Sequence, residues 1–357
     1  METTKFIYSV FIAGLLFGAG ICNGGEKNNA YLTKTIDSNT GSTSADINTF
    51  TAKHSVTVKD VAKGSKIVRM WLPVPQNDEN QTIVGFKLAE TPGKVSFSRD
   101  PEHDNMFAYC EVENPQKSSY TFGYSFTVTR KKQSLNNPHK TEIMPITDEH
   151  RLALEEYLGS NRYVIIDDFI RKKADELCGN GTDPVKQARA IYDWIICYGE
   201  YWKKDIKRFA PSGHGSTKYF CEVGTGNCAD FHAAFLSLVR SRGIPARINF
   251  GSVFWKDKQG KDIDAGYHCW PEFYAPGHGW VVVDASQGDF EPEKEEFYFG
   301  NLETRRIVFT KGRDINLVPR QTNPDPLDYL DLAYAEIDGN VLSNNQAVRK
   351  LTYDLIN

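Results

Sequence analysis

The sequence predicts an α+β protein in which an all-β domain precedes a mixed α+β domain. Three observations support this fold class. Residues 50–140 alternate apolar and polar side chains with the period of two that strands show. Near residue 145 the period changes to the three-to-four spacing of helices, and strand patterns return only after several helices. The chain has 357 residues, enough for two domains of ~100–200 residues each.

The composition excludes several classes of protein. Hydrophobic residues make up 40% of the chain and charged residues 25%, as in ordinary globular proteins, which excludes a disordered, collagen-like or polytopic membrane protein. The formal net charge is −4, from 42 Lys and Arg against 46 Asp and Glu. A nucleic-acid-binding protein needs a surplus of positive charge on one face, so we expect no nucleic-acid partner.

Residues 1–22 are predicted to be a secretory signal peptide. The run 6–22, FIYSVFIAGLLFGAGIC, is apolar throughout but short for a spanning helix, and small residues at 18–20 suit signal peptidase. An uncleaved membrane anchor is one alternative. Lipidation at Cys22 is another, although Ile21 is a poor residue to precede a lipidation site. We therefore predict an extracytoplasmic protein, periplasmic or secreted, with no membrane span after signal removal.

The next two segments have contrasting patterns. Residues 23–46 are rich in Asn, Gly, Ser and Thr, which predicts a flexible linker. Residues 47–142 contain six short runs of β-branched and aromatic residues, separated by polar stretches such as QNDENQ and TPGK. Short strands at regular spacing predict an antiparallel β-sandwich or β-barrel. No titratable cluster occurs there, so this domain is expected to be structural or to present substrate.

The second domain is predicted to span residues 143–340, with 341–357 as a C-terminal tail. Its first three amphipathic segments begin at Asp148, Val164 and Asp183 and carry apolar residues three or four apart. Asp183 is a suitable N-cap, because the following Pro184 fits the first helical position.

A cysteine lies where the next helix should begin. The segment GTGNCADFHAAFLSLVRSRGIPAR is a glycine-rich turn that runs into an amphipathic helix, which puts Cys228 at or beside the helix N-terminus. Unpaired N–H groups and the positive end of the helix dipole stabilise a thiolate there. Gly224 and Gly226 let the backbone turn tightly and come close to a substrate.

A histidine and an aspartate lie in a predicted hairpin. The segment GYHCWPEFYAPGHGWVVVDAS gives two strands joined at APGHG, with His268 opening the first and Asp284 closing the second. A turn centred near residues 276–277 places the two nearly opposite, where the carboxylate can accept a hydrogen bond from the imidazole. With Cys228 they form a predicted nucleophile, general base and base-orienting acid.

The neighbours of these residues have simpler interpretations. His232 follows Cys228 by four positions on the same helix, so it could compete as the partner of Cys228, but it is predicted to be a partly buried helix residue. Cys269 should point to the opposite face of its strand from His268, as a buried thiol. Arg306 is expected to form a surface or structural ion pair.

Three phrases of the sequence resemble the bacterial transglutaminase-like superfamily, which is papain-like in fold. They are GNCADFHAAFLSLVRSRGIPARINFGSVF, GYHCWPEFYAPGHGWVVVDAS and FYFGNLETRRIVFTKGRDINLVP. The resemblance covers roughly residues 180–340, and its motif residues fall on Cys228, His268 and Asp284. The upstream strands are similar to the β-sandwich that often precedes such domains. The resemblance thus implies a papain-like transglutaminase core behind an all-β sandwich.

The resemblance also implies a class of reaction. It implies thiol-dependent hydrolysis or acyl transfer at peptide-type amide bonds through a thioester, as in a cysteine protease, an amidase or a transglutaminase. The substrate would be a peptide or protein, for instance of the cell envelope, and no cofactor or metal is implied. Superfamily members take a second oxyanion donor from an aromatic or amide residue, which makes Asn227, Tyr201 and Trp202 candidates.

Two other functions stay open at this point. The superfamily includes inactive relatives, so one alternative is a catalytically inactive binding protein of the cell envelope. The other is a zinc-binding module, since Cys221, His214 and the residues around Cys228 offer soft ligands. No cysteine pair, however, has the short C-x₂₋₄-C spacing of structural zinc sites.

Overall fold

The computed structural model describes most of the chain beyond the predicted signal peptide and linker. The described residues are 46–136, 142–263, 266–330 and 333–356. The predicted signal peptide, the lipidation alternative at Cys22 and nearly all of the predicted linker lie outside them. Among the described helices, none combines the length and apolarity that a bilayer crossing requires.

Seven strands lie within the described residues 46–136, as the period of two predicts. They are β1 (Ile47–Val58), β2 (Ile67–Val74), β3 (Gln81–Glu90), β4 (Lys94–Arg99), β5 (Met106–Glu113), β6 (Tyr120–Lys131) and β7 (Gln133–Ser134). In β1 every second side chain from Phe50 to Val58 is buried. This alternation places one face of the strand against a core.

Six α-helices follow among the described residues, and each begins where the sequence provides a cap. They are α1 (Asp148–Ala153), α2 (Asp168–Cys178), α3 (Pro184–Tyr198), α4 (Thr217–Val223), α5 (Cys228–Ser241) and α6 (Ala285–Phe290). The predicted cap of α3 is present: the Asp183 carboxylate accepts hydrogen bonds from the amides of Val185 and Lys186, and Pro184 is the first helical residue. Short 3₁₀ turns lie at Glu155–Tyr157, Trp202–Lys204, Lys256–Lys258 and Pro292–Lys294.

In the part of the chain that the structure describes, ten further strands are interleaved with and follow the helices. They are β8 (Glu200–Tyr201), β9 (Thr225–Gly226), β10 (Ala246–Val253), β11 (Tyr267–Ala275), β12 (Gly279–Val282), β13 (Asn301–Leu302), β14 (Arg306–Lys311), β15 (Tyr334–Ile337), β16 (Asn340–Val341) and β17 (Ala347–Leu355).

Two antiparallel sheets form the β-sandwich that the sequence predicts. Their strand orders are β17-β1-β6-β3 and β16-β15-β2-β5-β4. The core between them is built from the inward side chains of both sheets, among them Phe50, Val56, Leu72, Cys110 and Phe122.

The C-terminal segment is part of this sandwich, which corrects the prediction of a tail over 341–357. Strand β17 pairs antiparallel with β1 along nine residue pairs, from Phe50 opposite Leu355 to Val58 opposite Ala347. Strands β15 and β16 join the other sheet beside β2. The physical reason is an alternating pattern in β17: Leu351 is buried in the core, so leaving the segment in water would expose a whole apolar face.

A third sheet, in the order β12-β11-β10-β14, carries the helical part of the chain. Helix α5 is buried along nearly its whole length and packs against this sheet, with Phe235 against Phe273. Strand β14 also contributes Ile307 and Phe309 to the sandwich core. This packing holds the first turn of α5 next to β11.

Candidate active site

Cys228 is the first residue of α5, where the sequence predicts it. Asn227 caps the helix: its side-chain oxygen accepts hydrogen bonds from the amides of Ala229, at 2.9 Å, and Asp230, at 3.2 Å. The Asp230 carboxylate in turn accepts from the Asn227 amide at 3.0 Å. The Cys228 amide takes no part in this capping box, so its N–H can donate a hydrogen bond to a bound group.

The glycine-rich turn before Cys228 is shaped by the same cap. A side chain at Gly226 would place its Cβ 2.3 Å from the Cβ of Asp230, so only glycine fits beside the capping carboxylate. Gly224 ends α4 in the left-handed conformation, with φ +70°. Strand β9 then pairs in parallel with β8, which sets Gly226 opposite Tyr201.

His268 and Asp284 meet as predicted, although the hairpin register differs from the expectation. The ladder pairs Glu272 with Val282, so position 284 faces Trp270 rather than His268. Strand β12 ends at Val282, and Asp284 instead becomes the N-cap of α6. From there its Oδ2 lies 2.7 Å from His268 Nε2.

The Asp284 carboxylate is fully buried and surrounded by donors. Oδ1 accepts hydrogen bonds from Ser286 Oγ and from the Gln287 amide, each at 3.0 Å, and Arg306 Nη1 lies 3.0 Å from Oδ2. Burial alone would raise the pKa of Asp284, but the positive charges of His268 and Arg306 hold it well below its usual range. The carboxylate is therefore charged at every pH of interest.

Electrostatic interactions link Asp284 through His268 to the thiol of Cys228. Burial lowers the pKa of His268, but Asp284 and Cys228 outweigh burial and raise it to about 9. The pKa of Cys228 lies well below its usual range, and the largest cause is a hydrogen bond from Cys269 to its sulfur. Burial acts in the opposite direction, but the charge of His268 and a hydrogen bond from His268 lower the pKa further. Since His268 Nε2 is bound to Asp284, Nδ1 is the ring nitrogen left for Cys228. Both shifts favour a thiolate and an imidazolium over the neutral pair.

Two residues near Cys228 have a larger part in the site than the sequence indicates. Cys269 is fully buried, as expected, but it also lowers the pKa of Cys228 by hydrogen bonding. His232 is also fully buried, and its Nδ1 lies 3.4 Å from Cys269 Sγ. No local sequence pattern links these side chains.

The three candidates for an oxyanion donor are placed differently. Tyr201 is buried, and burial together with the nearby Cys228 raises the pKa of its phenol, which stays protonated. Trp202 hydrogen-bonds Tyr201. The indole N–H can only donate, so the Tyr201 hydroxyl keeps its own hydrogen for another acceptor. The side-chain oxygen of Asn227 is used by the helix cap.

One residue invoked for a zinc site has other partners. His214 Nδ1 lies 2.6 Å from Asp328 Oδ2, and its ring is stacked on Tyr163. Across the described part of the chain, no three His, Cys, Asp or Glu side chains are arranged to hold a metal ion. Arg306, expected to form an ion pair, does so with Glu303 and with Asp284 itself.

Comparison with known proteins identifies the part of the chain that holds this site. Residues 171–285 match the model of the Transglutaminase-like superfamily. This region is a transglutaminase-like domain. It contains Cys228, His268 and Asp284, and the predicted α+β core is confirmed.

The fold of this chain also occurs in a solved structure. The chain resembles the crystal structure of a candidate cysteine protease from Cytophaga hutchinsonii, with a TM-score of 0.54, 17% identity, and coverage of 87% of this chain and 98% of that one. At this identity the likeness shows the shared fold alone.

Two relatives are similar in sequence. An uncharacterized protein of Haemophilus influenzae is 24% identical over 350 residues, which are 88% of this chain and 92% of that protein. The uncharacterized protein YebA of Bacillus subtilis is 26% identical over 151 residues, 39% of this chain and 20% of YebA.

Proposed function

We propose that the protein is an exported cysteine enzyme that hydrolyses or transfers peptide-type amide bonds through a thioester on Cys228. The observation that carries the proposal is the hydrogen-bonded series from Cys228 through His268 to Asp284, at the start of a buried helix. A structural cysteine needs none of these partners. A nucleophile needs all of them, because the thiolate is the reactive form and must be present at neutral pH.

In the proposed acylation step, the Cys228 thiolate attacks the carbonyl carbon of an amide and the carbonyl electron pair moves to oxygen. The oxyanion accepts hydrogen bonds from the Cys228 amide and the Tyr201 hydroxyl, each worth ~3 kcal/mol. The C–N bond then breaks, and the His268 imidazolium gives its proton to the leaving amine. A thioester, a free amine and a neutral imidazole result.

Deacylation reverses the roles of the same groups. Neutral His268 takes a proton from water or from an amine, which attacks the thioester carbon. The C–S bond breaks and Cys228 leaves as a thiolate. Water gives a carboxylic acid, the outcome of a protease or amidase, and an amine gives a new amide, the outcome of a transglutaminase. Asp284 keeps the imidazole oriented in both half-reactions.

The proposed substrate is a peptide or protein of the cell envelope. The signal-like sequence over 1–22 supports this location, because a chain exported by that route meets substrates outside the cytoplasm. The β-sandwich, which shares Ile307 and Phe309 with the catalytic sheet, is proposed to hold such a substrate near the site.

The test is to trap the acyl-enzyme. Purified protein is mixed with cell-envelope peptides and proteins, quenched in acid, and digested for mass spectrometry. We expect acyl adducts on the peptide that contains Cys228, and none in Cys228→Ala. Repeating the reaction with a labelled primary amine distinguishes the acceptors: label in the released product indicates transfer, and unlabelled acid indicates hydrolysis.

The chain provides matched internal controls. Cys178 and Cys221 are half-buried free thiols whose pKa burial raises to about 11 and about 12. They should carry no adduct and should resist iodoacetamide at mildly acidic pH, where Cys228 reacts. If Cys228 neither forms an adduct nor reacts faster than these two, the proposal fails and the inactive binding protein takes its place.

A further inference from the structure

The Asp284 carboxylate has two positively charged neighbours, and both lie beside the same oxygen. His268 Nε2 is 2.7 Å from Oδ2, and Arg306 Nη1 is 3.0 Å from it. The other oxygen, Oδ1, accepts the hydrogen bonds of Ser286 and Gln287 at the start of α6. The proposed mechanism uses Asp284 and His268 but assigns Arg306 no part.

The register of the sheet places Arg306 on the same face as His268. Arg306 in β14 pairs with Val253, and His268 in β11 pairs with Gly251, so the two residues flank β10 at positions two residues apart. Side chains two residues apart on a strand, and those paired across strands, point to the same face of a sheet. The backbone therefore fixes Arg306 on the His268 side of the sheet, where it is fully buried.

The other contacts of Arg306 hold the guanidinium in place. Its Nε donates a hydrogen bond to Glu303 Oε2 at 3.1 Å, and the rings of Trp270 and Tyr298 lie 5.8 and 5.7 Å from its Cζ. Within the described residues, Nη1 and Nη2 make no hydrogen bond of good geometry. Arg306 therefore acts on Asp284 through its charge, and another cation should be able to replace it.

Two cations beside one carboxylate oxygen compete for it. Because both nitrogens lie within 3.0 Å of Oδ2, the two charges are at most about 6 Å apart, and each disfavours the other. We propose that Arg306 is a positioning residue that weakens the hold of Asp284 on the His268 imidazolium, so that the imidazolium releases its proton to the leaving amine. The inference rests on the proposed function, because it adds a residue to the same proton transfer.

The electrostatics of the site are compatible with this role. Burial lowers the pKa of His268, Asp284 and Cys228 raise it, and Arg306 lowers it, which leaves a pKa of about 9. A general acid works best when its pKa lies near the working pH, so a stronger hold by Asp284 would slow the release of the proton. The titratable and charged groups around the imidazole and the carboxylate are Tyr192 on α3, Tyr201 on β8, Cys228 and His232 on α5, Cys269 on β11, and Tyr298, Glu303 and Arg306.

Titration of His268 in the intact protein tests this role. The NMR signal of the imidazole Cε1–H is followed against pH and is assigned by its absence from His268→Ala. Arg306→Met removes the positive charge and should raise the midpoint by about one to two pH units. Arg306→Lys keeps a cation and should return the midpoint most of the way to that of the wild type. The more stable imidazolium of Arg306→Met also favours the thiolate, so alkylation of Cys228 by iodoacetamide should extend to lower pH.

Arg130→Met is the matched control. Arg130 is also a buried arginine paired with a carboxylate, that of Asp78, but it lies on β6 of the sandwich. Its substitution should lower the melting temperature and leave the His268 midpoint unchanged. If Arg306→Met does not fold, the double variant Arg306→Met with Glu303→Gln also removes the carboxylate left without its partner, and it should show the same raised midpoint.

The outcomes are distinct. An unchanged or lowered His268 midpoint in folded Arg306→Met, or in the double variant, would overturn the inference. A raised midpoint that Arg306→Lys does not reverse would also overturn it, because the effect would then not come from the charge. A wild-type Cys228 that is unreactive at acidic pH would instead overturn the proposed function, so the two failures are distinguishable.

Discussion

The substitution Asp284→Asn tests whether the buried carboxylate acts on the chemistry or only on the fold. Asparagine has the same size and is as good an N-cap as aspartate, so the start of α6 should persist. What is lost is the negative charge 2.7 Å from His268 Nε2. The asparagine amide also presents a donor where the imidazole N–H needs an acceptor.

The size of the effect follows from these contacts. A hydrogen bond to a charged group contributes ~1.5–3 kcal/mol, so its loss should lower the pKa of His268, now about 9, by about one to two units. Loss of the imidazolium also makes the Cys228 thiolate scarcer, so the acidic limb of alkylation should move to higher pH. Because the asparagine amide also favours the wrong imidazole tautomer, we expect kcat to fall by about 10²–10⁴, as in serine triads.

The assay compares pH profiles of kcat and of Cys228 alkylation with thermal unfolding. Activity needs a protonated His268 and an ionised Cys228. In Asp284→Asn the pH range of activity should therefore narrow at both its acidic and its basic limit. The free energy of unfolding should also fall, because Arg306 loses its ion pair with Asp284 and retains the one with Glu303.

Glu272→Gln provides the matched control for that loss of stability. Glu272 is a buried carboxylate on the same strand as His268. Burial opposes its charge, but Arg247, at 2.8 Å, and a hydrogen bond from Gln133 lower its pKa to about 2. Its substitution should destabilise the protein without moving the pH profiles. If Asp284→Asn behaves in the same way, with turnover and alkylation unchanged, Asp284 is only a helix cap and ion-pair partner, and the triad assignment is withdrawn.

Three further outcomes are expected. Cys228→Ala and His268→Ala should each abolish turnover while leaving thermal unfolding nearly unchanged, and the double variant should be no worse; additive losses would show independent action. Tyr201→Phe should lower kcat by about 10²–10³ at nearly constant KM, and an unchanged kcat would remove Tyr201 from the oxyanion site. Burial lowers the pKa of His54 to about 3, so only the unfolded chain gains a proton as pH falls below ~6.5. Urea unfolding should therefore show about 2 kcal/mol less stability at pH 5 than at pH 7, a loss absent from His54→Gln.

The parts of the site that could be predicted from the sequence are those determined within a few residues. A cap, a glycine turn and an apolar periodicity act locally, which is why Cys228 and the cap at Asp183 lie where the pattern predicts. The meeting of His268 and Asp284 could be predicted because a hairpin brings them together over a short loop, even though the register differs by two positions.

The parts that could not be predicted depend on contacts between distant segments. Cys269 lies near Cys228 because α5 packs against the sheet that contains β11. Arg306 reaches Asp284 through the placement of β14, and its sequence neighbourhood resembles any charged surface strand. The pairing of β17 with β1 joins the far ends of the described chain, and the alternation in β17 is equally compatible with any exposed sheet edge.

The pairing of β17 with β1 also has a consequence for biosynthesis. Strand β1 has β6 on one side, and its other edge stays open until β17 is made, roughly 200 residues later than β6. At ~5–20 residues per second this leaves the edge exposed for roughly 10–40 s. An open edge invites pairing with other chains, so the nascent sandwich must be shielded in that interval. A chain that stops short of β17 never closes the edge, and we expect quality-control proteases to remove such chains even when the transglutaminase-like domain is complete.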